Sequence, residues 1–361
     1  MANLQAGGAA FLVSLILCLT ILATRRWHRR WSNDGTAGIQ KLHATPVPRI
    51  GGLAILGGLA GGATLAPPDL RLFLLAALPA FAAGLAEDLT KRVSVRLRLA
   101  ATLVSGAAFC LLTGNMIDLP GLPPLFLFTS FAIAGIANAM NIIDGGNGVS
   151  SGTAVIVLCG LAVVAVGAGD GPALAVALTV LGAVLGFFVL NFPFGRLFLG
   201  DGGAYLIGVL LAGLAVAIPA RNPEVSPFFG LLILAYPVVE TLITVARRAA
   251  RRQGNAMLAD RLHLHSLFHR RRARVWARRI GRPGLAPLPT ALAMWALSLI
   301  AGFLAGVWQE EDALLLFGLL PVTVAYLAIY RQVARVGAGK RATRRQRALY
   351  RPMTRFRRAS P

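Results

Sequence analysis

The chain has 361 residues, of which 56% are hydrophobic and only 14% charged, with a mean hydropathy of +0.68. Soluble domains carry about 25% charged residues, so most of this surface does not face water, and an ordinary soluble enzyme is excluded. The formal net charge of +22 would suit nucleic acid, but its placement along the chain points to lipid instead and predicts no nucleic-acid partner.

Apolar runs almost free of ionisable side chains cover 9–23, 50–66, 70–86, 99–113, 123–137, 152–168, 172–190, 203–219, 226–246, 287–307 and 312–330. A helix needs about 20 apolar residues to cross the hydrocarbon core, the flanks extending shorter runs. The series predicts an all-α integral membrane protein, a polytopic bundle of about eleven transmembrane helices. The Gly-rich run at 50–66 is the weakest of them. The first run lacks a basic segment before it and is followed at once by Arg25, Arg26, Arg29 and Arg30, which reads as an uncleaved span. Cys18, Cys110 and Cys159 lie inside apolar runs and read as small buried hydrophobes. Residues 1–330 form one membrane-embedded domain, and 331–361 a basic tail.

If residue 1 lies outside, the segments 24–49, 87–98, 138–151, 191–202 and 247–286 and the tail all lie inside. Every Lys and Arg except Arg71 and Arg221 then falls inside, while Asp69, Asp118, Asp170, Glu224, Glu310, Glu311 and Asp312 fall outside. This positive-inside bias orients the chain with an external N-terminus. The basic tail then lies against anionic membrane lipids, each basic residue contributing about 1 kcal/mol.

The inner segments carry the unusual residues. The first holds Lys41, His43, Thr45, Pro46, Pro48, Arg49, Gly51 and Gly52. Its prolines stiffen the chain, its glycines permit close backbone approach, and His43 and Arg49 offer donors to headgroups or phosphates. The second holds the adjacent acids Glu87 and Asp88, then Lys91, Arg92, Arg96 and Arg98. Ionisable groups at such depth are functional candidates. Adjacent carboxylates repel, so one would hold a proton tightly or share a cation, which suits either proton abstraction or metal binding.

The third segment runs Asn138-Ala-Met-Asn141-Ile-Ile-Asp144-Gly145-Gly146-Asn147-Gly148. Asn138, Asn141 and Asp144 are three apart and share a face on a helix. Their hard oxygens suit Mg²⁺ or the edge of a nucleotide base. In the fourth, Asn191-Phe-Pro-Phe-Gly-Arg-Leu-Phe198-Leu-Gly200-Asp201-Gly202-Gly203, the acid stands among glycines at the start of a span. Asp201 suits an Mg²⁺ ligand or a helix cap, and Phe198 a base-stacking or interfacial position. The fifth carries Glu240, then Asp260, Arg261, His263, His265 and His269 among many arginines. His263 and His265 cannot share a helical face, and with Arg261 they read as a diphosphate clamp rather than a zinc site.

These five ordered segments resemble the polyprenyl-phosphate N-acetylhexosamine-1-phosphate transferases of glycosyltransferase family 4, the MraY/WecA-like superfamily, and in particular its WecA-like branch. The resemblance runs from about His43 to His269. It implies transfer of an N-acetylhexosamine-1-phosphate from a UDP-N-acetylhexosamine to undecaprenyl phosphate, with loss of UMP, at the cytoplasmic face of the bacterial inner membrane. The product would prime a cell-surface polysaccharide of the O-antigen or capsule type. The resemblance further implies Mg²⁺, with Mn²⁺ as an alternative, and a homodimer.

By position, Asp201 corresponds to the family's metal aspartate and Asn138 to a second oxygen ligand. Asp88, with Glu87 before it, would act as base toward the lipid phosphate, and Asp144 joins them as a catalytic acid group. Asn141 and Asp144 would hold the nucleotide sugar, Phe198 would stack on uracil, and Asn147 and Asn191 would contact substrate. His43, Arg49, Arg261, His263 and His265 would grip phosphates. The chain departs from the family where Glu87 replaces the first Asp of the acidic pair, Asn147 the second Asp of an Asp-Gly-x-Asp-Gly pattern, Ser266 a further His, and Glu240 an Asp. A non-catalytic binder of the same ligands is the alternative these departures raise. A transporter would set its ionisable groups near the bilayer midplane, whereas these lie at span ends.

Overall fold

The computed structural model describes residues 2–34, 46–119, 121–123, 125–250 and 262–349, with the side chains of 33, 34 and 336–349 left aside. Fifteen α-helices follow one another: α1 (Ala2–Ala23), α2 (Arg25–Ser32), α3 (Gly51–Gly62), α4 (Pro68–Thr90), α5 (Val95–Thr113), α6 (Phe126–Ile143), α7 (Val149–Gly167), α8 (Gly171–Asn191), α9 (Gly200–Arg221), α10 (Phe229–Ile233), α11 (Ala235–Ala250), α12 (Leu264–Phe268), α13 (Arg274–Arg279), α14 (Pro287–Val307) and α15 (Asp312–Leu349). One short antiparallel pair, β1 (Asn33–Asp34) and β2 (Val47–Pro48), matches Asn33 to Pro48 and Asp34 to Val47. The protein is a multi-pass membrane protein. Among the described residues, nine helices are long and apolar enough to cross a bilayer.

Two expected spans take another form. The run at 50–66 yields only the 12-residue α3, about 18 Å long and too short to cross alone. The run at 226–246 breaks at Leu234 into α10 and α11. Pro237 lies in the first turn of α11, where its missing N–H costs least, and upstream it frees a carbonyl that an unbroken helix would have bonded. Helix α15 runs on past residue 330 to Leu349. Cys159 lies on the exposed outer face of α7 rather than in the core; only Cys18 and Cys110 are buried.

Helix α9 is the axis. Every residue from Gly200 to Ile218 is buried, and α3, α4, α5, α6, α7, α8 and α10 all pack on it. Around it, the outer faces of α1, α5, α14 and α15 expose Leu12, Leu111, Phe303 and Phe317, as a lipid-facing surface requires. Pro79 lies inside α4, yet the adjacent Ala80 N–H donates to Ser105 Oγ of α5 at 3.0 Å. A neighbouring helix thus satisfies a backbone donor beside the proline. This packing sets the N-terminus of α9, the C-termini of α4, α6 and α8, and the segments before α3 and α12 at one end of the bundle.

Candidate active site

The site is organised by the first turn of α9. Asp88, on the last turns of α4, is 1% exposed. Its carboxylate accepts from the Asp201 and Gly202 N–H groups, both at 3.0 Å. A carboxylate there satisfies donors that a helix start leaves orphaned and complements the helix dipole. The turn into α9 needs Gly200, which stands at φ +80°, where any Cβ would collide with Arg49 O and Asp88 Oδ2. The segment before α3 zips onto the segment before α9: Phe198 N–H donates to Pro48 O at 2.9 Å, Gly51 N–H to Phe198 O at 2.9 Å and Gly52 N–H to Leu199 O at 3.0 Å. Gly52 and Gly203 lie so close that a Cβ on Gly52 would strike the Gly203 nitrogen.

That zipper delivers Arg49 between two acids. Its Nε lies 3.3 Å from Asp88 Oδ1, and its terminal nitrogen bonds Asp201 Oδ1. Arg98 of α5 bonds the other Asp201 oxygen. The Nε of Arg98 is buried without a hydrogen-bond partner among the described residues. Tyr205, one turn along α9, lies beside Arg98 and Asp201. Asp144 ends α6, is partly buried, and faces Arg49, Asp201 and Asp88. Burial drives its carboxyl pKa up to about 7; Arg49 opposes the shift and the two acids reinforce it.

The acidic pair does not act as a pair. Consecutive helical residues point about 100° apart, so Asp88 faces inward while Glu87 Oε2 accepts from Val93 N–H at 2.9 Å and shapes the turn after α4. The shared proton or cation expected between them has no place in this geometry. Asp88 itself, expected as the base, accepts from the first turn of α9 and pairs with Arg49. Asp88 braces Arg49 and the first turn of α9, while Asp144 makes no side-chain hydrogen bond to the described residues.

The asparagines divide by what they touch. Asn138 donates from Nδ2 to Thr102 Oγ1 at 3.0 Å and to Ala134 O at 2.8 Å, which leaves its amide oxygen as the group free to act. Thr102 is one turn from Arg98 on α5, so Asn138 borders the arginine site. Asn141 is partly buried on α6, one turn before Asp144. Asn191, expected to touch substrate, is a 5% exposed brace. It accepts from Gly148 N–H (2.8 Å) and Ser151 Oγ (3.1 Å) and donates to Leu197 O (2.9 Å). Asn147 donates to Pro193 O at 3.0 Å. An Asp could not make that bond, which gives a physical reason for Asn at this departure and turns the residue toward the chain rather than a base. Phe198 is partly buried, and its backbone carries two bonds of the zipper.

The histidine segment closes the site. Gly145 has room only for hydrogen, because a Cβ would collide with His265 Nε2. His263 and His265 stack at 5.7 Å with 5° between planes. Buried Glu240 holds them from α11, lying 3.1 Å from His263 Nδ1 and accepting from Leu264 N–H at 3.2 Å. Burial pushes the His265 pKa down to about 4, with Glu240 opposing and His263, Arg270 and His269 adding to the shift. It is therefore a neutral imidazole at pH 7, one donor rather than a cation, and its Nδ1 has no partner among the described residues. Trp295 of α14 caps the third segment, donating to Gly148 O at 2.9 Å. His43 and Arg261 lie outside the described residues. Tyr205 and Trp295 carry no signal in the sequence, and Arg98 stands there only as the last of a run of basic residues with no role of its own.

Residues 70–218 match glycosyl transferase family 4. The stretch from α4 into α9 is thus similar to that family. A probable undecaprenyl-phosphate N-acetylglucosaminyl 1-phosphate transferase of Bacillus subtilis is 28% identical over 278 residues, 71% of this chain and 75% of the relative. A decaprenyl-phosphate N-acetylglucosaminephosphotransferase of Mycobacterium tuberculosis is 29% identical over 271 residues, 62% of this chain and 66% of the relative. A shorter stretch of 92 residues is 38% identical to a phospho-N-acetylmuramoyl-pentapeptide-transferase of Streptococcus thermophilus, covering 26% of this chain and 27% of that one. The family match begins at α4 and ends within α9, so it contains Asp88, Arg98, Asn138, Asp144 and Asp201 but neither Arg49 nor the histidines.

Proposed function

We propose that this protein transfers N-acetylglucosamine-1-phosphate from UDP-N-acetylglucosamine to undecaprenyl phosphate at the cytoplasmic face of the bacterial inner membrane. One observation carries the reading: Arg49, Arg98, Asp88, Asp144 and Asp201, from four helices and a loop far apart in sequence, meet at one end of the bundle. Two guanidiniums on one carboxylate, beside a carboxyl titrating near neutrality, suit two phosphates that must be brought together against their repulsion. The activities after which the relatives are named support the sugar and the lipid class. Surface polysaccharide priming is the cellular role we assign to the product.

In the reaction an oxygen of the lipid phosphate attacks the sugar-bearing phosphorus of the donor. The bond from that phosphorus to the bridging oxygen breaks, and UMP leaves with the electron pair. Arg49 and Arg98 bind the phosphates and offset the charge spread over their oxygens. Asp144 accepts the proton remaining on the lipid phosphate, whose second pKa of about 6 is close to its own. Asp88 keeps Arg49 and the first turn of α9 in register. His263 and His265, held by Glu240, position the donor's diphosphate.

Among the described residues no three His, Cys, Asp or Glu side chains converge into a chelate. That donor set still fits Mg²⁺, which takes one or two carboxylates and draws its other oxygens from substrate phosphates and water. Asp201 would hold it, with the Asn138 amide oxygen nearby, and the ion would supply charge neutralisation on the diphosphate.

The test is purified protein with undecaprenyl phosphate, Mg²⁺ and a panel of UDP-hexosamines that includes UDP-N-acetylmuramoyl-pentapeptide. UMP release with UDP-N-acetylglucosamine, lost in Asp201→Ala and without added Mg²⁺, is the expected result. Turnover of the muramoyl donor instead would move the chain to the peptidoglycan branch. No UMP from any donor, beside an active relative, would reduce the protein to a binder.

A further inference from the structure

The transfer chemistry makes no use of α2, yet this helix is the most unusual surface of the protein. It reads Arg-Arg-Trp-His-Arg-Arg-Trp-Ser and starts two residues after α1 ends. Helix α1 has 22 residues, about 33 Å, enough to cross the hydrocarbon core. The end of such a span lies at the depth of the headgroups, and α2 begins there.

Three stripes run along α2 because residues four apart lie above one another. His28 and Ser32 face inward. His28 Nδ1 lies 2.5 Å from Ser32 Oγ, and its Nε2 3.0 Å from the Ile21 carbonyl, which ties α2 to the end of α1. Trp27 and Trp31 form a second stripe, 71% and 52% exposed. Arg25, Arg26, Arg29 and Arg30 are all exposed around the rest, with Arg26 stacked over the Trp27 ring. No acid interrupts the helix. Indole wedges beside four guanidiniums match an interface of acyl chains and phosphates.

The inner stripe leads to the site. Ser32 O accepts from Arg49 N–H at 2.8 Å. The next residues, Asn33 and Asp34, pair with Pro48 and Val47. The residue that bridges Asp88 and Asp201 is thus hung from the last residue of α2.

We propose that α2 docks anionic phospholipid headgroups of the surrounding bilayer, and that this contact holds Arg49 in place through Ser32. The partner is the bulk phospholipid, not the acceptor lipid. The effect on turnover rests on the transferase reading; the docking does not. The test uses the full chain in nanodiscs of phosphatidylcholine alone or mixed with phosphatidylglycerol. Native mass spectrometry counts retained phosphatidylglycerol, and hydrogen exchange follows the Arg49 amide. The wild type should retain phosphatidylglycerol, and its Arg49 amide should exchange more slowly in the mixed discs. Arg25→Gln/Arg26→Gln/Arg29→Gln/Arg30→Gln should retain less by at least about tenfold and lose the exchange difference, with its melting temperature unchanged. If that variant does not fold, Arg26→Gln/Arg30→Gln, which leaves the stripe beside it intact, should show the same effects in smaller size. Equal retention by variant and wild type overturns the docking. An Arg49 amide indifferent to bilayer charge overturns the coupling. One-for-one displacement of phosphatidylglycerol by undecaprenyl phosphate also overturns the proposal, by assigning the stripe to the acceptor. A protein that binds phosphatidylglycerol through α2 but releases no UMP would fail the transferase reading alone.

Discussion

Two clusters of arginine and aspartate stand at opposite ends of the bundle, and they are wired differently. At the end away from the candidate site, Arg221 bonds Asp69 at 2.5 Å and lies 3.9 Å from Asp170. Asp170 also accepts from Asn222 at 3.2 Å and caps α8 through the Ala173 N–H at 2.8 Å. Each of its charges ends on a partner that belongs to a helix terminus. At the other end Arg49 and Arg98 converge on Asp201. There Asp144 makes no side-chain hydrogen bond to the described residues, and the Arg98 Nε and His265 Nδ1 are buried unpartnered. A cluster that satisfies itself fastens helices. A cluster that leaves buried polar groups and a carboxyl without partners among the described residues is ready to receive a ligand.

The sharpest way to break this contrast is to neutralise each cluster in turn. Asp201→Ala and Arg49→Ala should each lower kcat/KM at least about 10²-fold, the scale for removing one preorganised electrostatic contact, read as UMP release. Arg221→Ala should leave turnover within about twofold, because its pair is partly exposed and such pairs contribute only about 1 kcal/mol. An inactive Arg221→Ala that still folds would end the claim that the two ends differ in kind.

Acidity offers a second way. A raised carboxyl pKa means protonation below it, so Asp144, at about 7, is ionised only above neutral pH. As a proton acceptor it must be ionised while the lipid phosphate, with a second pKa of about 6, keeps its proton, so kcat/KM should peak between about pH 6 and 7, fall above that, and drop about tenfold per unit along the acid limb. Asp144→Asn should be slower and lose that limb. A wild-type profile flat from pH 5.5 to 8 would remove Asp144 from the chemistry.

The smaller effects concern fastening within the active end. Asn191→Ala strands the Gly148 N–H and the Leu197 carbonyl and should cost about 1–3 kcal/mol, seen as a lower melting temperature in detergent. Asn147→Asp, which replaces a donor to Pro193 O with an acceptor, should destabilise by about 1 kcal/mol and leave the KM for the UDP-sugar nearly unchanged. A large KM change with unaltered stability would return Asn147 to the substrate.

Much of this was legible in the chain itself. Long uncharged runs can only be satisfied in lipid as helices, so the membrane class and most span positions follow from hydropathy alone. The clustering of Lys and Arg in alternate segments marked the end that carries Arg49, Asp88, Asp144 and Asp201, because charge and Gly-rich turns cannot be hidden within a span. Other features depend on contacts that no local pattern encodes. That Glu87 turns outward while Asp88 caps α9 follows from which side of α4 meets that helix. Asn191 and Asn147 share the composition of substrate residues, and only their partners reveal them as braces. The partnership of Arg98 with Asp201, 103 positions apart, and the contact of His265 with Gly145 arise when packed helices bring their ends together. Sequence by itself determined what must leave water and where charge must gather, since both are costs each residue carries alone; tertiary structure decided which charge faces which, since that energy belongs to pairs.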